Sequence, residues 1–111
     1  MRLKRYTLAL DLIDDSELIG KYKDAHKKVW PEVIKSIKDS GIENMEIYNI
    51  GNRLFMIMEV NPSFSFENKE KMDNESPTVQ EWEALMSKYQ KKLPFADNGE
   101  KWVLMDSIFK L

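Results

Sequence analysis

The chain has 111 residues, of which 42% are hydrophobic and 32% are charged, and its formal net charge is -2. This length and balance predict a single folded domain over residues 1–111 and exclude long disorder and low-complexity repeats. The slightly negative charge argues against a nucleic-acid partner. With no cysteine and one histidine, His26, the sequence excludes disulfides, a cysteine nucleophile and thiolate or multi-histidine metal sites, so we expect no metal.

The sequence contains neither a predicted membrane span nor a typical signal peptide. No apolar run approaches the roughly 20 residues of a membrane span. The apolar stretch at residues 8–13 is short and is interrupted by Asp11, which does not suit a signal peptide. We therefore expect a cytoplasmic protein without a membrane partner.

The first third of the chain predicts a strand and two helical segments. Apolar and polar residues alternate over residues 3–12, which is typical of a strand. A helix is predicted over residues 15–29, because residues 14–16 are of types that favour a helix N-cap and apolar side chains recur after them at helical spacing. Proline at position 31 disfavours helical backbone at Trp30, so a second segment begins at Pro31 and ends before Gly41. It turns three apolar side chains inward: Val33, Ile34 and Ile37.

The middle of the chain predicts a hairpin and then a polar segment. Residues 42–50 and 54–60 are two predicted strands, joined by a turn at residues 51–52. Residues 61–76 are polar and predict a loop or a broken helix. Their length leaves two interpretations open, a lid over a site or a disordered connector.

The last part predicts a helix and a closing strand. Serine followed by proline at residues 76–77 is a good helix start, and the helical apolar stripe that follows ends before Pro94. Residues 101–111 carry apolar side chains on alternate faces, which predicts a final strand.

The order of these elements is β, α(α), β, β, α, β, which is typical of the ferredoxin-like split βαβ fold of the α+β class. Helices cover only one face of such a sheet, yet residues 54–58 are apolar at every position. A second copy of the chain, packed sheet on sheet with two-fold symmetry, would cover the other face. We therefore expect a homodimer, with an open-faced monomer that carries a ligand cleft as the alternative.

Tyr22 and His26 are the first candidates for chemistry. They lie four residues apart on the predicted helix and therefore share one face, with Trp30 close by. An imidazole is the side chain best suited to proton transfer near neutral pH. The neighbouring aromatic rings would form a platform for a sugar ring or another flat apolar face. The alternative is a hydrogen-bonded histidine at the edge of the core.

Trp82, Glu59 and Asp11 are three further residues that a site could use. Trp82 is on the inward stripe of the last helix, where it either borders a cleft shared with His26 or belongs to the core. Glu59 interrupts an apolar strand, so it is either a second acid/base group or a residue at a sheet edge. Asp11 faces away from the row of Tyr6, and we assign it no role.

One run of residues carries a motif of specific spacing. Tyr22 is followed after four residues by His26 and, after four more, by the triplet Trp30-Pro31-Glu32. This run resembles the signature of the L-rhamnose mutarotase family. Further segments that resemble the family extend over nearly the whole chain: residues 39–44, Tyr48, residues 54–56, residues 79–82 and residues 108–111.

The resemblance implies a dimeric ferredoxin-like α+β barrel without a cofactor. It implies an isomerase that interconverts the α and β anomers of a 6-deoxy-hexose, with a monosaccharide as its small-molecule partner. By the same resemblance His26 would be the catalytic proton donor, Tyr22 would bind the sugar and Trp82 would form part of the pocket wall. The second proton carrier is left open among a carboxylate, Tyr22 and water.

Two positions depart from the family pattern. Rhamnose members carry a Trp-Trp pair where this chain has Trp82 followed by Glu83, and a substrate-contacting Tyr where it has Met45. Both positions would touch sugar, so L-fucose competes with L-rhamnose as the substrate, and Glu83 would accept hydrogen bonds from its hydroxyls. Two other functions stay open, a small monooxygenase, cofactor-free or with His26 as a haem ligand, and a non-catalytic sugar-binding module.

Overall fold

The computed structural model describes residues 2–111 and places one antiparallel sheet against a layer of helices. The strands are β1 (Lys4–Leu12), β2 (Ile42–Ile50), β3 (Arg53–Val60), β4 (Gln90–Lys91) and β5 (Val103–Leu104). The helices are α1 (Ser16–Ala25), α2 (Pro31–Asp39), α3 (Phe66–Glu75) and α4 (Pro77–Ser87). The strand order is β2-β3-β1-β4, with β5 also paired to β1. This is the predicted split βαβ topology, with β1 and β3 as central neighbours.

The alternation predicted for β1 decides which face of the sheet becomes the core. Leu8, Leu10 and Leu12 point to one face and are buried. In the pairing with β3, Leu8 lies opposite Met56 and Leu10 opposite Leu54, so both strands bury the same face. Helices α1, α2 and α4 add to this core with the side chains Tyr22, Val33, Val79, Trp82 and Met86. The helix-covered side is called the inner face below.

The first helix is shorter than the predicted residues 15–29. Asp15 caps α1, since its carboxylate accepts hydrogen bonds from the backbone N–H groups two and three residues later, at 3.0 and 3.1 Å. The α-helix ends at Ala25, and residues 26–28 form a single 3₁₀ turn. Val29 and Trp30 are extended, with ψ 138° and 136°, in agreement with the restriction that Pro31 places on the residue before it.

The second helix ends at a glycine that its surroundings require. Gly41 has φ +102°, and a Cβ atom built on it would lie 2.8 Å from Asn61 Oδ1. Position 41 therefore needs glycine both for its backbone conformation and for the close approach of the chain. Of the three side chains predicted inward, Val33 is buried and Ile37 half-buried, whereas Ile34 is 40% exposed and lines the cavity described below.

The polar segment at residues 61–76 contains the ordered helix α3. Ser65 caps it by accepting a hydrogen bond from the backbone N–H of Asn68 at 3.1 Å. The helix packs against α2 and α4, and the Phe66 ring meets Tyr6 edge-on with centroids 4.9 Å apart. The segment is therefore a packed helix, and the interpretation as a disordered connector is wrong.

The closing strand predicted over residues 101–111 is wrong in its extent. Only residues 103–104 form β5, and Met105 adds one hydrogen bond from its N–H to the Thr7 carbonyl at 2.8 Å. The side chains of Ile108 and Phe109 are 95% and 77% exposed. Alternation predicts a backbone prone to form a strand, but it does not supply a partner strand within the same chain.

The outer face of the sheet is apolar and open. Phe55 and Ile57 alternate with the buried residues of β3 and are half-buried, while Tyr48 and Ile50 of β2 are exposed. The rings of Tyr48 and Phe55 lie 6.4 Å apart. The sheet thus has two apolar faces, as predicted, and within residues 2–111 helices cover only one of them.

Candidate active site

A cavity of about 560 Å³ lies between the inner face of the sheet and the helices. Its walls are mainly apolar and include Val33, Ile47, Met56, Val79 and Met86. A few polar side chains also line it, among them Tyr22, His26, Lys69, Asp73, Glu83 and Gln90. A mostly apolar cavity of this size with a few convergent polar groups is the usual form of a small-molecule site.

The predicted pair of Tyr22 and His26 lies in this cavity. Their ring centroids are 4.4 Å apart, and the ring planes are inclined by 31°. Nδ1 of His26 lies 2.8 Å from the backbone carbonyl oxygen of Tyr22. Because a carbonyl oxygen only accepts hydrogen bonds, Nδ1 carries the proton, and Nε2 is left to exchange a proton with a bound molecule.

Trp82 from α4 lies beside His26. The two rings meet edge-on with centroids 5.5 Å apart and an interplanar angle of 71°. Trp82 is only 6% exposed and lines the cavity, so it belongs to the core and to the cavity wall at once. Trp30 packs against Trp82 with centroids 5.2 Å apart, but it is not among the described residues that line the cavity. It supports the wall from behind.

The surroundings of Tyr22 keep its hydroxyl protonated. The side chain is 4% exposed, and this burial is the main cause that raises the pKa of Tyr22 above its usual 10.0. A hydrogen bond from the Gln90 amide opposes that rise, and the Glu83 carboxylate adds to it. A phenol with a raised pKa donates a hydrogen bond at neutral pH and does not act as a base. Tyr22 is therefore suited to hold an oxygen atom of a bound molecule.

Glu83 and Met45, the two positions that depart from the family pattern, both line the cavity. The half-exposed Glu83 carboxylate accepts a hydrogen bond from Lys101 Nζ at 3.3 Å. The same ammonium donates to Ser87 Oγ at 2.5 Å. This lysine holds the carboxylate at the edge of the cavity, where one oxygen can still accept from a ligand hydroxyl.

Several polar residues of the cavity were not found by sequence analysis, among them Lys69, Asp73 and Gln90. Lys69 and Asp73 of α3 form an ion pair, and Asp73 also accepts a hydrogen bond from Ser36 Oγ at 3.3 Å. Opposite charges four residues apart were visible in the sequence, but the docking of α3 over the cavity was not. Gln90 of β4 had no sequence signal, because a two-residue strand has no periodicity to detect.

Glu59 and Asp11 lie away from the cavity on the outer face of the sheet. Asp11 accepts two hydrogen bonds from Arg53, at 2.5 and 3.2 Å. Glu59 accepts from Arg5 at 3.3 Å and from Asn44 at 3.2 Å. Glu59 is therefore a paired residue on an interior strand, so the sheet-edge interpretation is wrong. Its role as a second acid/base group stays a prediction, and Glu59 is not among the residues that line the cavity.

The part of the chain that the structure describes also bears on membranes and metals. None of the helices in residues 2–111 has the length and apolar character needed to cross a bilayer. Over the same residues, no three or more metal-ligating side chains are grouped so that they could hold an ion.

Together these groups can hold a small polar ring and move protons on it. The His26 Nε2 atom is able to exchange a proton, the Tyr22 hydroxyl is able to donate a hydrogen bond, and the Glu83 carboxylate is able to accept one. The Trp82 ring offers a flat apolar surface for the carbon face of a sugar. The arrangement is that of an acid/base site for a hydroxylated ring.

Comparison with known proteins agrees with this chemistry. The family model described as L-rhamnose mutarotase matches residues 5–111. An L-fucose mutarotase from Xanthomonas campestris pv. campestris is 42% identical over 113 residues, which cover 100% of this chain and 90% of that protein.

Two solved structures share the fold. The crystal structure of an L-rhamnose mutarotase from Formosa agariphila has a TM-score of 0.72 and 21% identity, covering 97% of this chain and 98% of that one. A dimeric ferredoxin-like protein from an uncultured marine organism has a TM-score of 0.55 and 14% identity, covering 96% and 90%. These likenesses confirm the predicted ferredoxin-like α+β fold.

The family match also decides between the functions left open by the sequence. It confirms the predicted function, interconversion of sugar anomers by a carbohydrate isomerase, and favours neither the monooxygenase nor the non-catalytic binding module. The chain is a member of the L-rhamnose mutarotase family.

Proposed function

We propose that the protein interconverts the α and β anomers of a 6-deoxy-hexose in the cavity at His26, and that L-fucose is preferred over L-rhamnose. The observation that carries the catalytic assignment is the hydrogen bond between His26 Nδ1 and the Tyr22 carbonyl. It fixes the imidazole so that Nε2 is the nitrogen that exchanges protons, beside the aromatic surface of Trp82.

The preference for L-fucose has two supports. The relative that is 42% identical over the whole chain is named an L-fucose mutarotase. Glu83 and Met45 line the cavity at the positions where rhamnose members carry aromatic residues. A carboxylate accepts hydrogen bonds from hydroxyl groups that an indole ring would only stack against.

Ring opening and closure then need two proton transfers. The His26 imidazolium gives its Nε2 proton to the ring oxygen as the C1–O5 bond breaks, and the Glu83 carboxylate takes the proton of the anomeric hydroxyl. The product is the open-chain aldehyde. Rotation about the C1–C2 bond and the reverse transfers close the ring on the other face and restore both residues. Each positioned acid or base typically contributes about 10²–10⁴-fold.

The sugar makes its other contacts with groups that do not change protonation. The Tyr22 hydroxyl, held neutral by its raised pKa, donates to a sugar oxygen. The Trp82 ring covers the carbon face and the C6 methyl group. Selectivity therefore lies at the distal hydroxyls, while the site tolerates either configuration at C1.

The test is NMR saturation transfer between the anomeric protons of L-fucose, L-rhamnose and D-glucose. We expect the wild-type protein to speed up exchange most for L-fucose and least for D-glucose, and His26→Ala to lose most of that acceleration. Lys27→Ala is the matched control, because Lys27 is the exposed next residue of the same 3₁₀ turn. Wild-type rates in His26→Ala would remove His26 from the mechanism, and faster exchange for L-rhamnose would reverse the substrate order.

We also propose that the active form is a homodimer in which two outer faces pack together. The open apolar row of Tyr48, Ile50, Phe55 and Ile57 supports this, because apolar patches of this kind are rarely left exposed in monomers. The exposed apolar side chains of Ile108, Phe109 and Leu111 would also find partners there. The cytoplasmic location stays a prediction from the sequence.

Light scattering coupled to size exclusion tests the dimer. We expect the mass of two chains for wild type and of one chain for Phe55→Glu, which places a charge in the middle of the outer face. Ala84→Glu on the exposed side of α4 adds the same charge away from it and should leave the dimer intact. A wild-type protein with the mass of one chain would contradict the proposal.

A further inference from the structure

Gln90 is a polar side chain in a place that favours an apolar one. It forms β4 with Lys91, and in the pairing with β1 it lies opposite Leu12, which is fully buried. Opposed residues of an antiparallel pair point to the same face, so the Gln90 side chain enters the inner face of the sheet. Leu12, Tyr22 and Trp82 belong to the one core cluster around this position.

The Gln90 side chain has a polar amide next to the Tyr22 phenol, where it lowers the pKa of that phenol and so opposes the effect of burial. Its Oε1 atom is buried and is the one buried side-chain polar atom that has no hydrogen-bond partner within residues 2–111. A buried acceptor without a donor destabilises a folded protein, and a leucine or methionine would fill the position without that cost.

The unsatisfied end lies at the site already described. Gln90 lines the cavity together with Tyr22, His26 and Glu83. A ligand hydroxyl in the cavity would supply the donor that Oε1 lacks. The polar atom that costs stability in the free protein then contributes to binding.

We propose that Gln90 is a substrate-binding and specificity-determining residue whose Oε1 accepts a hydrogen bond from a sugar hydroxyl other than the anomeric one. The inference rests on the proposed function, because it concerns the same cavity and the same sugar. Gln90 does not take part in proton transfer, so it should govern KM and leave the chemical step unchanged.

The variant Gln90→Met tests this, because methionine has a similar length and volume without the acceptor. For L-fucose we expect KM to rise about 3- to 10-fold, the usual effect of one neutral hydrogen bond, with kcat at the wild-type level. The melting temperature should be unchanged or higher, because the unsatisfied acceptor is gone. Gln80→Met is the control, since Gln80 is the other glutamine of the chain and is exposed on α4.

Deoxy analogues of L-fucose identify the hydroxyl. In wild type, the analogue that lacks the recognised hydroxyl should raise KM, and in Gln90→Met the same analogue should cause no further rise. An unchanged KM for L-fucose in Gln90→Met would overturn the inference. So would analogues that each raise KM by the same factor in Gln90→Met as in wild type. A fall in kcat and stability without a change in KM would assign Gln90 a merely structural role and would also overturn it.

A measurement on wild type keeps the test valid if Gln90→Met does not fold. The side-chain amide signals of Gln90 in ¹H–¹⁵N spectra should shift as L-fucose is added, while those of Gln80 stay in place. No shift at Gln90 would overturn the inference. Failure of wild type to exchange the anomers of any sugar would instead overturn the proposed function, so the two failures are distinguishable.

Discussion

Two walls of the cavity carry polar groups, and they differ in whether these groups already have hydrogen-bond or ion-pair partners within the protein. The aromatic wall (Tyr22, His26 and Trp82) has an imidazole whose Nε2 has no protein partner within residues 2–111. The ion-pair wall (Lys69 and Asp73) lies on α3, and its charges bind each other. Groups that are satisfied within the protein stabilise it, whereas unsatisfied groups are available to a ligand. The comparison assigns the proton transfers of His26 to the aromatic wall and helix docking to the ion-pair wall.

The largest effect is expected from removing the main surface of the aromatic wall. Trp82→Ala should lower the free energy of unfolding by about 3–5 kcal/mol, because it deletes a buried indole that packs on His26 and Trp30. Urea unfolding followed by circular dichroism measures this. Trp30→Ala, at a half-buried position, should cost less. Equal losses in the two variants would show that Trp82 has no special place in the core.

The position of α3, which carries the ion-pair wall, depends on Gly41 at the end of α2. Gly41 has φ +102°, and its Cα faces Asn61 and Phe64 in the chain that leads to α3. Gly41→Ala should cost about 1–3 kcal/mol through backbone strain and should loosen α3. Gly20→Ala is the matched control, because a Cβ atom at this position in α1 meets nothing within 4 Å.

Thermal unfolding and hydrogen exchange of the α3 amides follow both glycine variants. Gly20→Ala should stabilise the protein by about 0.5–1 kcal/mol, since alanine is the better helix residue. Equal melting temperatures for Gly41→Ala and wild type would contradict the need for glycine at position 41.

The same two walls show how far the sequence predicts the site. Tyr22 and His26 share a face of one helix, so their spacing alone predicted the contact now seen at 4.4 Å. To place Trp82 beside His26, the prediction needed the fold as well as the spacing, and the order of the elements indicated that fold. The ion-pair wall depends on how α3 docks against α2 and α4, and no local pattern encodes that packing.

The errors in the fold have related causes. The extent of the last strand depended on a partner that alternation at residues 105–111 does not reveal. The short strand β4, which brings Gln90 into the cavity, is two residues long and has no period. Local periodicity predicted the type of β1, β2, β3, α1, α2 and α4 correctly. The extent of the last strand and the presence of β4 depend on long-range pairing, which a local pattern does not encode.

A smaller effect is expected at high pH from Tyr22. Below its usual pKa of 10.0 the phenol is neutral in the folded and unfolded states. Above that pH the unfolded chain loses the proton while the buried phenol keeps it, so the folded state binds more protons. The free energy of unfolding should therefore fall as pH rises from 10.0 through the raised pKa of the folded protein.

Tyr22→Phe separates this effect from the titration of other groups. Urea unfolding between pH 9 and pH 11.5 should show a shallower decline for the variant than for wild type. Tyr6→Phe is the control, since Tyr6 is a half-buried tyrosine of β1 that does not line the cavity. Parallel declines for Tyr22→Phe and wild type would mean that the phenol is hydrated in the folded protein.

The smallest effect is expected from neutralising the ion-pair wall. Asp73→Asn keeps the shape of the side chain and removes the charge that pairs with Lys69 and accepts from Ser36. The free energy of unfolding should fall by about 1 kcal/mol, because the Asn amide oxygen still accepts a hydrogen bond from Lys69 and only the charge is lost. The kcat for L-fucose should stay at the wild-type level. The same kinetic assay is applied to Glu83→Gln for comparison. This variant should have a lower kcat, because Glu83 is the proposed proton acceptor. A large fall of kcat in Asp73→Asn would move chemistry to the ion-pair wall and end the distinction between the two walls.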